Sequence, residues 1–370
     1  MSEIRFVTVC TRSRLAEAAV LARSLDAVHP GAPRRLVLAE RDVQQSDRAC
    51  GWEVLPVDSL ALPGGVRFLF QYAPFELCCA LKPYVLEAAL DLPGTRGAVY
   101  LDGDMLALAP FLDLVEAAWR DADVWLTPHL HTLAPAPDFS PFLHTGAYNA
   151  GFLAVLNKPE GRFFLRWFRE RLEKECIRDF RRGTFDDQKW LDLAAATCPG
   201  VRSLAYPGLN AGHWNLHEYR FEERADGSLW LNGTVPLALF HFSGLTADAL
   251  TRHGSAKPPP AIQSLATRYR QSLAVQRSLF SAEAFYSLGR FADGTPILPP
   301  HREAVRLGKA PAADPFKARG EVDAAAGLMP PVGDTEKALE ADAALRRLRA
   351  HPVIGRVWRF WKTWVNNDLP

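Results

Sequence analysis

The sequence predicts an α/β protein, a layered sheet flanked by helices, followed by a helical and irregular C-terminal region. Three observations predict it. Ile4 to Cys10 is a short β-rich run that ends at the polar turn Thr11-Arg12-Ser13. Leu15, Ala18, Ala19, Ala22 and Leu25 then recur at helical spacing until His29-Pro30-Gly31 stops the pattern. Arg35 to Ala39 and Trp52 to Val57 supply two more strands, and such a βαβ opening favours parallel pairing with helices on both faces.

The remaining elements follow in order. Phe75 to Leu90 reads as a helix with Leu77, Leu81, Val85, Leu86 and Ala89 on one side and Pro83 as a local irregularity. A turn at Pro93-Gly94 leads into the buried strand Ala98 to Leu101, which ends in Asp102-Gly103-Asp104. Val124 to Thr127 and Gly151 to Leu156 read as further strands, and a long basic helix covers about 161–179. The texture then changes. Lys257-Pro258-Pro259-Pro260 reads as a linker, and Gly308 to Asp334, rich in Ala, Pro and Gly, as extended or partly disordered. The expected division is a catalytic domain over 1–250 and an accessory region over 251–370.

Composition bounds the function. The chain has 370 residues, of which 48% are hydrophobic and 23% charged, enough for a substantial core and a smaller appendage. A formal net charge of +1 gives no general attraction to nucleic acid, so no nucleic-acid partner is expected. The cysteines at 10, 50, 78, 79, 176 and 198 form no CxxC pair, which fits reduced, buried thiols better than a disulfide framework or zinc cage. The N-terminal stretch lacks a signal-peptide core and no apolar run has bilayer-spanning length, so a cytoplasmic location is expected.

Asp102 and Asp104 carry the first chemical signal. Two acids at i and i+2 directly after a strand can turn both carboxylates the same way, and Gly103 between them permits a bend or a close ligand. Hard divalent ions seek several oxygen ligands, and the carboxyl edge of a parallel sheet is where such folds bind them. Two acids in a solvated turn is the plainer reading of the pair alone.

Further motifs surround the pair: VTVCTRSRLAEAAVLARSL, ALKPYVLEAAL, VYLDGDM, NAGFLAV, FDDQKWLD and HFSG, in that order over residues 4 to 245. Together they resemble glycosyltransferase family 8, the glycogenin and bacterial lipopolysaccharide galactosyltransferase superfamily. The resemblance implies a GT-A nucleotide-diphospho-sugar transferase fold, Rossmann-like with a mixed sheet. It implies an enzyme that moves a hexose from a UDP-sugar to a saccharide or lipid-linked acceptor with retention, aided by manganese or magnesium. Residue by residue, it makes Asp102, Asp104 and His241 metal ligands. Asp187 and Gln188 become the catalytic pair, the aspartate on sugar hydroxyls and the glutamine beside the anomeric carbon. Lys82, Asn149 and Gly151 fall near the donor sugar or diphosphate, as do Gly103, Ser243 and Gly244. Thr8, Cys10 and Arg12 fall where the base and ribose bind. The lysine that usually follows the late histidine motif is missing from its place, with Arg252 and Lys257 as substitutes.

Each of these residues has a plainer reading. His241 caps the strand Leu237 to Phe240, and Asn149-Ala150-Gly151 makes a turn. Asp186 serves as a helix N-cap with Asp187 in the first turn, and Lys82 is a solvated helix lysine. Two other functions fit part of the pattern: a non-catalytic nucleotide-sugar-binding protein, and a haloacid-dehalogenase-type phosphatase. The phosphatase motif wants Thr or Val where Met105 and Leu106 stand. His213 and His217 have i, i+4 spacing without an intervening catalytic acid, and Asn232-Gly233 reads as a hairpin turn. In the tail, Val353, Val357, Trp361 and Trp364 recur at helical spacing among basic residues. That pattern suits a final docked helix or peripheral contact with the inner face of a membrane.

Overall fold

The computed structural model describes residues 3–132, 139–243, 258–280 and 286–328. The opening forms as its periodicity predicts: β1 (Glu3–Cys10), α1 (Leu15–Val28), β2 (Arg34–Leu38) and β3 (Glu53–Pro56). Next come α2 (Val66–Phe70), α3 (Pro74–Leu90), β4 (Thr95–Leu101), β5 (Met105–Ala107), α4 (Leu112–Ala118) and β6 (Val124–Pro128). The middle contains α5 (Ser140–Thr145), β7 (Tyr148–Leu156), α6 (Pro159–Glu175), β8 (Arg178–Asp179), β9 (Thr184–Phe185), α7 (Trp190–Thr197) and β10 (Val201–Ser203). Short strands β11 (Ala211–Gly212), β12 (Phe221–Glu223), β13 (Leu229–Leu231), β14 (Val235–Pro236) and β15 (Leu239–His241) precede α8 (Pro260–Arg277), α9 (Pro299–Arg306) and α10 (Arg319–Ala325).

The large sheet has the order β10-β6-β7-β4-β1-β2-β3. The β1–β2, β2–β3, β1–β4 and β6–β10 pairs are parallel, whereas β7 runs antiparallel to both β4 and β6. The sheet is therefore mixed. Reversing β7 brings its first residues alongside the carboxyl end of β4, where the acidic pair emerges. Side chains alternate across the sheet: Phe6 joins the core on one face while Val7 and Val9 join the other. On the first face the alanines of α1 let the helix sit close to the strands. On the second, α3 buries Leu77, Leu81, Val85 and Leu86.

Several elements differ from their sequence pattern. α3 continues through Pro83, which fits because the missing N–H costs one helical bond in an otherwise buried helix. β7 begins at Tyr148, so Asn149 and Gly151 belong to a strand, not to a turn. α6 ends at Glu175, where the chain turns into the β8–β9 hairpin. The Ala/Pro-rich stretch is folded as far as Leu328, because Ala310, Phe316 and Val322 are spaced to reach the core. Phe316 meets Phe70 edge-on at 4.9 Å. The rest of that stretch and the tail from Val353 to Val365 lie outside the described residues. No described helix is long and apolar enough to cross a membrane.

Candidate active site

Three local structures converge at the carboxyl end of β4. The strand delivers Asp102, whose backbone N–H donates to the Gly151 carbonyl of β7 at 2.9 Å. β5 starts one residue after Asp104 and pairs antiparallel with β15, with His241 in register with Met105. The Phe242 N–H then donates to the Asp104 carbonyl at 3.0 Å. Pairing β15 with β5 thus carries a residue far along the chain to the acidic pair. His241 Nε2 lies 3.0 Å from Asp104 Oδ1 and 3.8 Å from Asp102 Oδ2. One ligand atom from each of the three residues lies within 4.8 Å of the others, a cluster that could hold a metal ion. Two carboxylates and an imidazole are a donor set that suits a divalent cation.

A hydrogen-bond chain fixes the tautomer of His241. The Gly151 N–H can only donate, and it meets Asn149 Oδ1 at 3.0 Å. That oxygen also accepts from Asn210 Nδ2 at 3.0 Å, and Asn210 Nδ2 donates again to Thr127 Oγ1 at 2.7 Å. Asn210 Oδ1 is left facing His241 Nδ1 at 3.2 Å, so Nδ1 carries the hydrogen. Nε2 is then the nitrogen that faces the carboxylates: with a proton it donates to Asp104, and without one it offers its lone pair to an ion held there. Asn210 holds this place with φ of +57°, a left-handed conformation that asparagine tolerates better than most residues. Gly151 is required for crowding: a Cβ there would stand 2.5 Å from His241 Cε1 and 2.8 Å from Asn149 Oδ1.

Lys82 joins the cluster to the catalytic candidates. Its buried ammonium lies 2.9 Å from Asp187 Oδ2 and 3.3 Å from Asp102 Oδ1, and donates to the Ala150 carbonyl at 3.0 Å. Burial opposes its charge, but Asp102 and Asp187 outweigh that and hold its pKa well above the usual lysine value. The solvated-lysine alternative is thereby removed. Tyr100 completes the surround, donating its hydroxyl to Asp102 Oδ1 at 2.9 Å. Burial pushes the Asp104 carboxyl up, while His241 more than compensates and lowers it. For His241 burial lowers the pKa, and Asp104 reverses this to a net rise.

Gln188 is locked by both ends of its amide. Nε2 donates to the Thr145 carbonyl at 2.8 Å, and Oε1 accepts from Ala150 N at 3.2 Å and Asn149 Nδ2 at 3.4 Å. Asp186, read as an N-cap, instead turns to Arg178 at 2.6 Å with φ of +46°, and α7 begins only at Trp190. His129 backs Asn149: Nδ1 donates to the Gly146 carbonyl at 2.8 Å, so Nε2 accepts from Asn149 Nδ2 at 3.4 Å.

The structure brings together Asp102, Asp104, His241, Lys82, Asn149, Gly151, Asp187 and Gln188. The N-terminal candidates are arranged differently. Thr8 is buried in β1 with no partner for its hydroxyl, and burial raises the Cys10 thiol. Arg12 is committed to Asp47 at 3.0 Å and Asp42 at 3.4 Å. A Cβ added at Gly103 would meet Ala18 of α1 at ordinary contact distance. Ser243 is half-buried beside Phe242, while Gly244, Arg252 and Lys257 lie outside the described residues. His213 and His217 do not share a helix, since only a single turn spans Leu216–Glu218. Sequence reasoning missed Asn210, Thr127 and His129 as site residues. Asn210 lies in a loop, and nothing near it in sequence marks its pairing with His241.

No known family profile matches the chain. Among curated proteins, the uncharacterized protein YfnF of Bacillus subtilis (strain 168) is 29% identical over 249 residues, which cover 65% of this chain and 80% of YfnF. YfnD of the same strain is also uncharacterized and is 29% identical over 175 residues, 46% of this chain and 54% of YfnD. Solved structures similar to the chain include the galactosyltransferase LgtC in complex with donor and acceptor sugar analogs. That likeness has a TM-score of 0.47 at 14% identity and covers 73% of this chain and 95% of LgtC. The glycosyltransferase GlyE of Streptococcus pneumoniae TIGR4 is 13% identical with a TM-score of 0.43, over 79% of this chain and 67% of the GlyE chain.

Proposed function

We propose that this chain is a metal-dependent glycosyltransferase that moves a hexose from a nucleotide-diphosphate donor to a hydroxyl acceptor. The donor is of the UDP class, the reaction retains anomeric configuration, and the acceptor is a saccharide, free or lipid-linked. One observation carries the reading: the Asp102, Asp104 and His241 ligand atoms lie within 4.8 Å of one another, and Lys82 ties that cluster to the Asp187 carboxylate at 2.9 Å. The six-motif resemblance gives it independent support.

The donor set fits a hard divalent cation, which when bound supplies Lewis-acid stabilisation of charge on a departing diphosphate. The protein's own residues do the rest. Asn210 and Asn149 keep the His241 Nε2 lone pair presented. Lys82 balances two carboxylates that repel each other across a buried gap. Asp187 accepts hydrogen bonds from sugar hydroxyls, and the clamped Gln188 amide presents a fixed dipole to the anomeric carbon, a preorganised electrostatic contribution.

Calorimetric titration of UDP, with and without manganese, into wild type and Asp104→Asn tests the reading. Manganese-dependent binding that the variant loses is expected, followed by UDP release from at least one UDP-hexose. Absence of nucleotide binding with any metal would overturn it. Binding without turnover across UDP-, GDP- and dTDP-sugars would leave a nucleotide-sugar-binding protein instead.

A further inference from the structure

Beside Asp104 lies a cavity of about 340 Å³ lined by Arg14, Glu17, Tyr269, Arg270 and Arg277 with Asp104 itself. Tyr269, Arg270 and Arg277 all come from α8, in the region expected to be accessory. This helix is fastened over α1 by Ile262, Leu265, Ala266 and Leu273, which join the same core as the alanines of α1. The Tyr269 ring stacks on Phe242, the residue after His241, at 4.0 Å and 20°. The cavity wall is therefore joined directly to the metal-ligand strand.

Its charges do not cancel. Glu17 is shared between Arg277 at 3.0 Å and Arg14 at 3.5 Å, and Asp104 is engaged by His241. Arg270 is exposed on the cavity rim and has no ion pair among the described residues. The cavity lining thus carries three guanidinium groups beside two carboxylates, Glu17 and Asp104. The Tyr269 hydroxyl and Glu17 Oε2 are buried, and neither has a hydrogen-bond partner. The Tyr269 side chain lines the cavity together with Asp104, Glu17, Arg14 and Arg277. A site with one uncommitted forked donor, Arg270, and an idle hydroxyl beside a cluster that could hold a cation suits a phosphate-bearing ligand. The volume falls within the range of small-molecule sites.

We propose that α8 supplies the anion-binding wall of the donor site, with Arg270, backed by Arg14 and Arg277, holding the phosphates of a nucleoside diphosphate that reaches Asp104. This rests on the transferase reading. It gives the C-terminal region a part in donor binding, and it puts arginines from a later helix in the role of the lysine missing after HFSG. The idle Tyr269 hydroxyl then donates to the same phosphates or to the adjoining ribose.

The test is titration of UDP and of uridine, both with manganese, into the full chain and its Arg270→Ala and Arg270→Lys variants. Arg270→Ala is expected to weaken UDP at least tenfold and leave uridine unchanged, with Arg270→Lys recovering part of the loss. Raising salt should narrow the gap between wild type and Arg270→Ala, because a screened charge contact is being removed. Coincident melting curves are expected, since the side chain is exposed. Equal UDP affinity in wild type and Arg270→Ala overturns the α8 wall while sparing the transferase reading. Wild type that binds manganese but no UDP removes both.

Discussion

The His241 imidazole donates from Nδ1 to the side-chain carbonyl of Asn210 at 3.2 Å, and this bond decides which ring nitrogen faces Asp104. Its direction is inherited from the Gly151 backbone N–H through Asn149. A backbone group in the large sheet thus keeps the hydrogen on Nδ1 of an imidazole two side chains away. Replacing Asn210 with Ala removes the acceptor and leaves Thr127 and Asn149 short of a donor. Manganese affinity should fall about 10–100-fold, the usual loss when such a supporting residue is removed. Electron paramagnetic resonance of free manganese measures it, and unchanged affinity would refute the orienting role.

Gly151→Ala tests the crowding at the same point. The added methyl would stand 2.5 Å from His241 Cε1, so the imidazole must move or β7 must shift. Metal binding should be lost before the fold is, with far-ultraviolet circular dichroism unchanged. A variant that binds manganese normally would show that the ring has room to spare.

Lys82→Met should expose the charge balance of the site. Asp187 and Lys82 are both nearly fully buried, and removing the cation strands the carboxylate beside Asp102. Breaking a buried pair from one side costs about 3–5 kcal/mol. The double variant Lys82→Met/Asp187→Asn should regain much of that stability but no activity. Denaturant titration of the four proteins in the cycle gives the coupling, and a coupling near zero would contradict the pairing.

His129 gives a pH prediction. Burial holds its pKa down at about 4, against an ordinary 6.5, with the Gly146 carbonyl offsetting part of the fall. As pH drops below about 6.5 the unfolded chain takes up the proton first, so stability from this group is lost steadily until about pH 4, where the folded chain protonates too. The loss over that window is about 3 kcal/mol. Nitrogen-15 spectra of the imidazole should show a neutral Nδ1–H ring at pH 5.5; a protonated ring there would contradict the buried hydrogen-bond arrangement.

Arg302 holds the later elements to the body. It is buried and donates to the carbonyls of Phe70 at 2.8 Å, Leu288 at 3.1 Å and Tyr72. Arg302→Met leaves those acceptors unsatisfied and should cost about 3 kcal/mol. Differential scanning calorimetry should record a fall of several degrees in Tm, and a Tm equal to wild type would mean water replaces the guanidinium without loss.

Within the site, side-chain type and local spacing made only the acidic pair legible; His241, Lys82, Asn149, Asp187 and Gln188 were expected from the resemblance alone. Asp102 and Asp104 could be found because both depend on one strand end, and the first three strands because their apolar runs are short and bounded. Other features depend on distant pairing. Nothing local in the sequence reverses β7, so the strand start at Tyr148, which brings Gly151 alongside Asp102, was hidden. Asn210 and His129 act through bonds to residues distant in sequence. The packing of the Ala/Pro-rich stretch as far as Leu328 was hidden because composition averages over the few residues, such as Phe316 and Val322, that anchor it.

The placement of α8 over α1 also sets an order of events during synthesis. About 170 residues separate Asp102 from Arg270, which at roughly 5–20 residues per second is a delay of about ten to thirty seconds. A nascent chain therefore displays its carboxylates to the cell well before the helix that closes the cavity has left the ribosome. On the proposed reading, donor capture therefore begins only once α8 has been made.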